Sequence, residues 1–286
     1  MAEIAGRGRD KSGQSIAPKR AYFSPGQNFE LLCRGPRQLT PALQGKWEVL
    51  RSLLEVWSLL GSLGGRTRFG FGAVQSAQLS GLPHLGNEVR RRLGVAANAV
   101  SMLKLGHDRT QRQSSTLPSW PEASESGLRI ALINETFHSL DEAFEQIRTL
   151  WKPHRWPDGV RHDLQRYWTE SPKPPQLNQK LARAAAFALP LRVSNSLLGP
   201  DYSSRMLDLR APDSITKLRR PSRIWFKPVQ LNGAYALVVL YWRWTLFPAG
   251  SSLSFPIPLP SPGVLDQYWT DHIVPTAEEI SWCPAN

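Results

Sequence analysis

The residues best suited to chemistry lie in one short stretch, Leu60-Gly61-Ser62-Leu63-Gly64-Gly65-Arg66-Thr67-Arg68-Phe69-Gly70-Phe71-Gly72. Glycines let a backbone take positive φ and approach a phosphate closely, while Arg66 and Arg68 at alternate positions neutralise charge along a nucleic-acid strand. Two well-known phosphate loops are excluded. No Gly-Lys-Ser/Thr follows, as a Walker loop requires, and Gln75 stands where a dinucleotide fingerprint needs its third glycine. The stretch also joins a helix to a following strand, the reverse of the order those loops use. Taken alone, such a segment is better explained by a glycine-rich connector carrying two solvated arginines.

Other candidate groups are weaker. Arg90-Arg91-Arg92 and Arg219-Arg220 are ordinarily solvated faces, but in a chain of formal net charge +12 they become second-line phosphate contacts. His154 and His162 are off helical register with no ligand partner nearby, so no metal site assembles from the sequence. Asp271-His272 has the types for a base pair in catalysis but no nucleophile motif to serve. Cys33 and Cys283 supply neither a disulfide framework nor a metal cage. Trp47, Trp57 and Trp151 fall on apolar helix faces, whereas Trp156, Trp168 and Trp269 have polar neighbours. The latter three suit stacking on bases or, better, packing on a partner protein. The residues point to binding rather than catalysis, with no cofactor.

Elements must position these groups. The first twenty residues, rich in Gly, Lys, Arg and Ser, read as a loose arm. Phe29–Cys33 alternates like a half-buried strand. Thr40-Pro41 opens a helix as N-cap and first helical residue. Its apolar stripe is Leu43, Trp47, Leu50, Leu54 and Trp57, and Gly61 ends it. A short strand is expected near Phe71–Gln75, giving strand, helix, loop, strand, half of a ferredoxin-like unit. Val89–Leu105 reads as helix and 111–127 as a Ser/Pro-rich linker. Leu128–Ile133 reads as strand, and Ser139-Leu140-Asp141-Glu142 is a capping box opening a further helix. Leu177–Phe187 looks helical and Leu189–Val193 extended. Asn232-Gly233 between two apolar runs marks a hairpin. The tail from Pro248 reads as irregular coil. The expected class is α+β, with units at 1–110 and 128–286.

Composition bounds the partners. With 286 residues and 41% hydrophobic content the chain is globular, and a pI near 10.1 favours polyanions. The most apolar stretch, Tyr235–Pro248, is too short to span a bilayer and contains Arg243. No signal-peptide pattern opens the sequence, and a reducing cytoplasm fits the two cysteines.

The glycine-rich stretch resembles the Gly-Gly-x-Gly-x-Arg-x-Arg-Arg-Gly-Phe-Gly motif of RAMP proteins, in particular the first subunit of the type III-B CRISPR Cmr complex. Gly64, Gly65, Arg66, Thr67, Arg68, Gly70, Phe71 and Gly72 keep most of the pattern; Phe69 replaces the second of its consecutive arginines. Three further segments match in family order. Tyr22–Leu31 is similar to a Pro-Gly-x-x-Phe-x-Leu strand, Ala186–Leu191 to a Phe-Gly-Leu-Pro stretch, and Arg220–Val229 to an Arg-Ala-Ser-Pro-Leu-x-x-Lys-Pro segment. The resemblance implies two ferredoxin-like (RRM-like) RAMP units, the first incomplete. The family's early Glu-Leu-Arg, Ser-x-Arg-Gly and Trp-Trp-Arg region has no counterpart before Arg20, so a separate chain supplying it is one implied partner. The others are guide RNA, target RNA and the neighbouring RAMP subunits, with contact near the 3′ end of the guide. Two rival readings stay open: a RAMP-type endoribonuclease that processes precursor guide RNA, and a basic protein-interaction subunit without direct RNA contact.

Overall fold

The hairpin marked by Asn232-Gly233 forms, with Gly233 at φ 76°, and the main sheet is built around it. The computed structural model describes residues 2–5, 8–9, 15–16, 19–22, 31, 40–63, 70, 72–76, 78–102, 127–155, 175–187, 191–192, 206–207, 209–210, 217–218, 222–244, 247, 250–253, 258–261 and 263–282. In chain order the elements are β1 (Ala2–Ala5), β2 (Gly8–Arg9), β3 (Ser15–Ile16), β4 (Lys19–Tyr22), α1 (Pro41–Leu60), α2 (Leu82–Met102) and β5 (Leu128–Ile133). There follow α3 (Leu140–Arg155), α4 (Pro175–Phe187), β6 (Leu191–Arg192), β7 (Met206–Leu207), β8 (Leu209–Arg210), β9 (Lys217–Leu218), β10 (Ile224–Leu231) and β11 (Ala234–Trp242). Last come β12 (Ser252–Leu253), α5 (Gly263–Tyr268) and β13 (Ala277–Glu279), with a π-turn at Trp269–Ile273 and a 3-10 turn at Val274–Thr276 between them. The class is α+β with antiparallel pairing throughout.

Two compact units are present, Met1–Trp47 and Glu48–Asn286. In the first, β1 pairs with β4 and β2 with β3. The arm expected to be loose thus carries paired strands, where Ala2-Glu3-Ile4-Ala5 and Lys19-Arg20-Ala21-Tyr22 lie in register. The second unit holds the four-stranded sheet in the order β10-β11-β5-β13. The sequence places a boundary at 111–127, which apart from Gly127 lies outside the described residues.

Both faces of this sheet are covered. On one, Ala131, Ile133, Phe226, Leu237 and Val239 meet Ala143, Ile147 and Trp151 of α3 and Leu181 and Phe187 of α4. On the other, Ile130, Leu132, Val229, Val238 and Leu240 meet Leu59 and Leu60 of α1 and Leu85, Val89 and Leu93 of α2. The unbroken run Ala236–Tyr241 is what a strand buried on both sides requires.

Local signals hold up well. Thr40 caps α1, its Oγ1 accepting from the Leu43 amide at 3.4 Å. Ser139 Oγ accepts from the Glu142 amide, and the Glu142 carboxylate reaches back to the His138 amide. α2 begins at Leu82, earlier than the sequence places it, with the Ser80 amide donating to His84 Nδ1.

Four expectations are corrected. The buried side of α1 is Val49, Ser52, Leu59 and Leu60, while Leu43 and Leu50 are exposed and Trp47, Leu54 and Trp57 half-buried. The helix is apolar on two sides, and packing on the sheet selects the one the periodicity does not favour. No strand forms around Phe71–Gln75 among the described residues; a single bridge joins Ser62 to Ala73. The tail after Pro248 is not all coil, since it supplies α5 and the edge strand β13. Gly61 does not take a left-handed C′ conformation; it is glycine because a Cβ there would strike the Trp57 indole and carbonyl. The expected strand at Phe29–Cys33 lies outside the described residues, apart from Leu31.

Candidate nucleic-acid interface

The glycine-rich stretch leaves the end of α1 and returns to the same place. The Leu63 amide donates to the Gly72 carbonyl at 2.7 Å and the Val74 amide to the Gly61 carbonyl at 3.4 Å, closing a neck. Gly70 and Gly72 have φ of 82° and 68°, the left-handed region that favours glycine. A Cβ on Gly72 would collide with the Leu63 carbonyl, and one on Gly70 would sit 2.5 Å from Pro228 Cδ and 3.3 Å from Phe144 Cε1. These two glycines are therefore demanded by close approach. Gly64, Gly65, Arg66, Thr67, Arg68 and Phe71 lie outside the described residues.

What holds the neck comes from β10, more than a hundred and fifty positions away. Lys227 donates its ammonium to the Gly61 carbonyl and, at 2.6 Å, to the Val74 carbonyl. Its side chain is 2% exposed, and burial pushes the ammonium down to about 7. Pro228 faces the opposite side of the sheet and meets Gly70 there. Gln75, just past the neck, pairs its side-chain amide with the backbone of Gln230. Two segments that carry the resemblance to RAMP proteins thus lie against each other.

The arginine run on α2 is engaged internally. Arg90 reaches Glu278 at 2.6 Å and Arg91 is bidentate to Glu88, both bonds 2.8 Å. Arg92, 6% exposed, donates to Glu88, to the Glu55 carbonyl and to Ser58 Oγ. Arg91, ahead of Arg92, holds the Glu88 carboxyl down to about 2. Arg92 ties α2 to α1 and, through the Ser58–Ser76 hydroxyl pair, to both sides of the neck. A phosphate would have to compete with these carboxylates. Arg219 and Arg220 lie outside the described residues. Arg223, next in the same segment, is fully buried, donating to the Trp244 carbonyl and lying over its ring.

The remaining candidates that are described contact neighbouring side chains within the fold. Trp269 is fully buried, donates to Glu279 and lies under Arg129, so it is unavailable for stacking on bases. Trp156 and Trp168 lie outside the described residues. Asp271 accepts two bonds from Gln267, and the His272 ring packs on Tyr268. Among the described residues no cluster of three or more metal-binding side chains occurs, and no helix is long and apolar enough to cross a membrane.

Sequence reasoning missed Lys227 as a site residue. The signal was present: Trp225, Val229 and Leu231 alternate with it on one inward face, so a lysine in that series must be buried and must find acceptors. No family model matches the chain, and no similar protein is found among curated sequences or solved structures.

Proposed function

We propose that this chain is a non-catalytic, RNA-gripping subunit of the RAMP type in a cytoplasmic type III-B CRISPR (Cmr) effector complex. One observation carries the reading. The glycine-rich loop and the late Lys-Pro segment, which bear the resemblance by sequence alone, meet through Lys227, Pro228 and Gln230. The strand order β10-β11-β5-β13, with α3 and α5 in the connections, supports the reading of this sheet as a ferredoxin-like unit. Two RAMP units and the neighbouring RAMP subunits belong to the same proposal.

In this role the protein grips guide and target RNA by backbone, and base pairing between them carries the sequence information. The covered sheet leaves no open face for bases to stack on, in contrast to RRM-type recognition. The grip therefore falls to the loop, Gly64–Gly72, with Arg66 and Arg68 neutralising phosphates. The test is a salt titration of RNA affinity on assembled complex. Replacing Arg66 and Arg68 by alanine flattens the log–log slope by about 0.7 for each phosphate no longer neutralised and weakens all sequences alike. Identical slopes reduce the loop to a connector. Specific cleavage of repeat-derived RNA by the purified chain selects the endoribonuclease instead.

A further inference from the structure

We propose that Lys227 is the positioning residue of the glycine-rich loop, its ammonium tying the incoming carbonyl of Gly61 to the outgoing carbonyl of Val74. The two oxygens converge on one point at the neck, and their dipoles repel each other unless a cation or donor lies between them. An ammonium carries three donors on a compact charge and serves both oxygens at once.

The position itself argues for this role. Lys227 lies opposite Val238 in the β10–β11 ladder, among Trp225 and Val229 on a face that is otherwise apolar. A methionine would pack there without the cost of removing a charge from water. Burial lowers its proton affinity, and no carboxylate among the described residues offsets that cost. The carbonyls of the neck do. Pro228, next in the chain, holds Gly70 from the other face. Consecutive residues of one edge strand thus fix the neck and Gly70 from the two sides of the sheet. A neck fixed in this way needs no ordering of its own when a polyanion binds, which favours affinity. That last consequence rests on the RNA-gripping reading, whereas the clamp does not.

The experiment compares the full chain with Lys227→Met and Lys227→Arg by amide hydrogen exchange, followed by the RNA salt titration. In Lys227→Met, exchange at the Leu63 and Val74 amides accelerates roughly 10- to 100-fold, as removal of a charge-assisted bond predicts, while the centre of β11 keeps its protection. Lys227→Arg restores part of the protection. Unchanged exchange in a folded Lys227→Met variant overturns the proposal. Should that variant not fold, acetylation of the wild-type chain decides. Lys227 reacts later than exposed Lys46, and protection at Leu63 and Val74 falls in step with its modification. Modification as fast as that of Lys46, or with the neck still protected, is the contrary result. Released neck amides with unaltered RNA affinity keep the clamp and sink the RNA reading of the loop.

Discussion

Gln75 and Gln230 exchange two hydrogen bonds of 2.8 Å each, the side-chain amide of one meeting the backbone N–H and C=O of the other. Gln230 lies on β10, an edge strand, so among the described residues these backbone groups have no neighbouring strand to pair with. The glutamine side chain takes that strand's place. Other residues blunt the same edge: Ser222 Oγ serves both the amide and the carbonyl of Ile224, and Pro228 has no N–H to leave unpaired.

Gln75→Ala removes the substitute strand. We expect a loss of about 1–2 kcal/mol in urea unfolding, moderated by the exposure of the pair, with faster exchange at the Gln230 amide. Unaltered exchange there means that water serves the edge equally well.

Gly70 and Gly233 separate backbone strain from steric crowding. Both have positive φ, but a Cβ on Gly233 meets nothing within 4 Å, whereas one on Gly70 meets Pro228 and Phe144. Gly233→Ala therefore costs about 1 kcal/mol from the backbone. Gly70→Ala costs about 1–3 kcal/mol more, through overpacking. Equal losses in chemical denaturation contradict the docking of Gly70 on β10.

Glu88 sets an acid limit. Its folded value, about 2, lies below the ordinary 4.5, so the unfolded chain binds the proton more readily. The stabilisation is complete above 4.5 and is lost as pH falls toward 2. Glu88→Gln lowers stability at neutral pH and flattens the acid limb of a melting-temperature profile, while wild type keeps the full slope.

Lys227 gives a slope of the same sign at the alkaline end, from a buried charge rather than from an ion pair. Its folded value is about 7 against the ordinary 10.5, so between these the unfolded chain carries the extra proton and stability rises with pH. Buried Tyr241 and Tyr268 are held neutral well above the ordinary 10.0, so above that value the unfolded chain loses their protons and stability falls. Unfolding free energy measured by urea thus climbs from about pH 7 and turns over near 10. In Lys227→Met the climb disappears and the turnover remains.

Local features were legible because neighbours in sequence make them. Thr40, Ser139 and Asn232-Gly233 act on residues within a few positions, and all three produce the expected structure. The face that α1 buries was not legible, because Leu43–Trp57 and Val49–Leu60 are both apolar and only the sheet chooses between them. Trp269 misled for a similar reason. Its neighbours Thr270 and Asp271 are polar, but the π-turn carries its ring inward beneath Arg129. β13 is three residues long, too short for any periodicity, and exists only through its ladder to β5. The engagement of the α2 arginines was legible only in part: Glu88 lies within one turn of Arg91 and Arg92, but Glu278 and Glu55 lie on other elements.

The central strand β5 bears on how the molecule is made. Both its ladders are formed with β11 and β13, which leave the ribosome long after it does. Leu128–Ile133, nearly all apolar, must wait unpaired through much of synthesis, a state in which chains associate wrongly. Assembly of this sheet is thus a late event in the life of the nascent chain. Slowing translation after β5 lengthens its exposure, and a holding chaperone or an early-binding subunit shortens it.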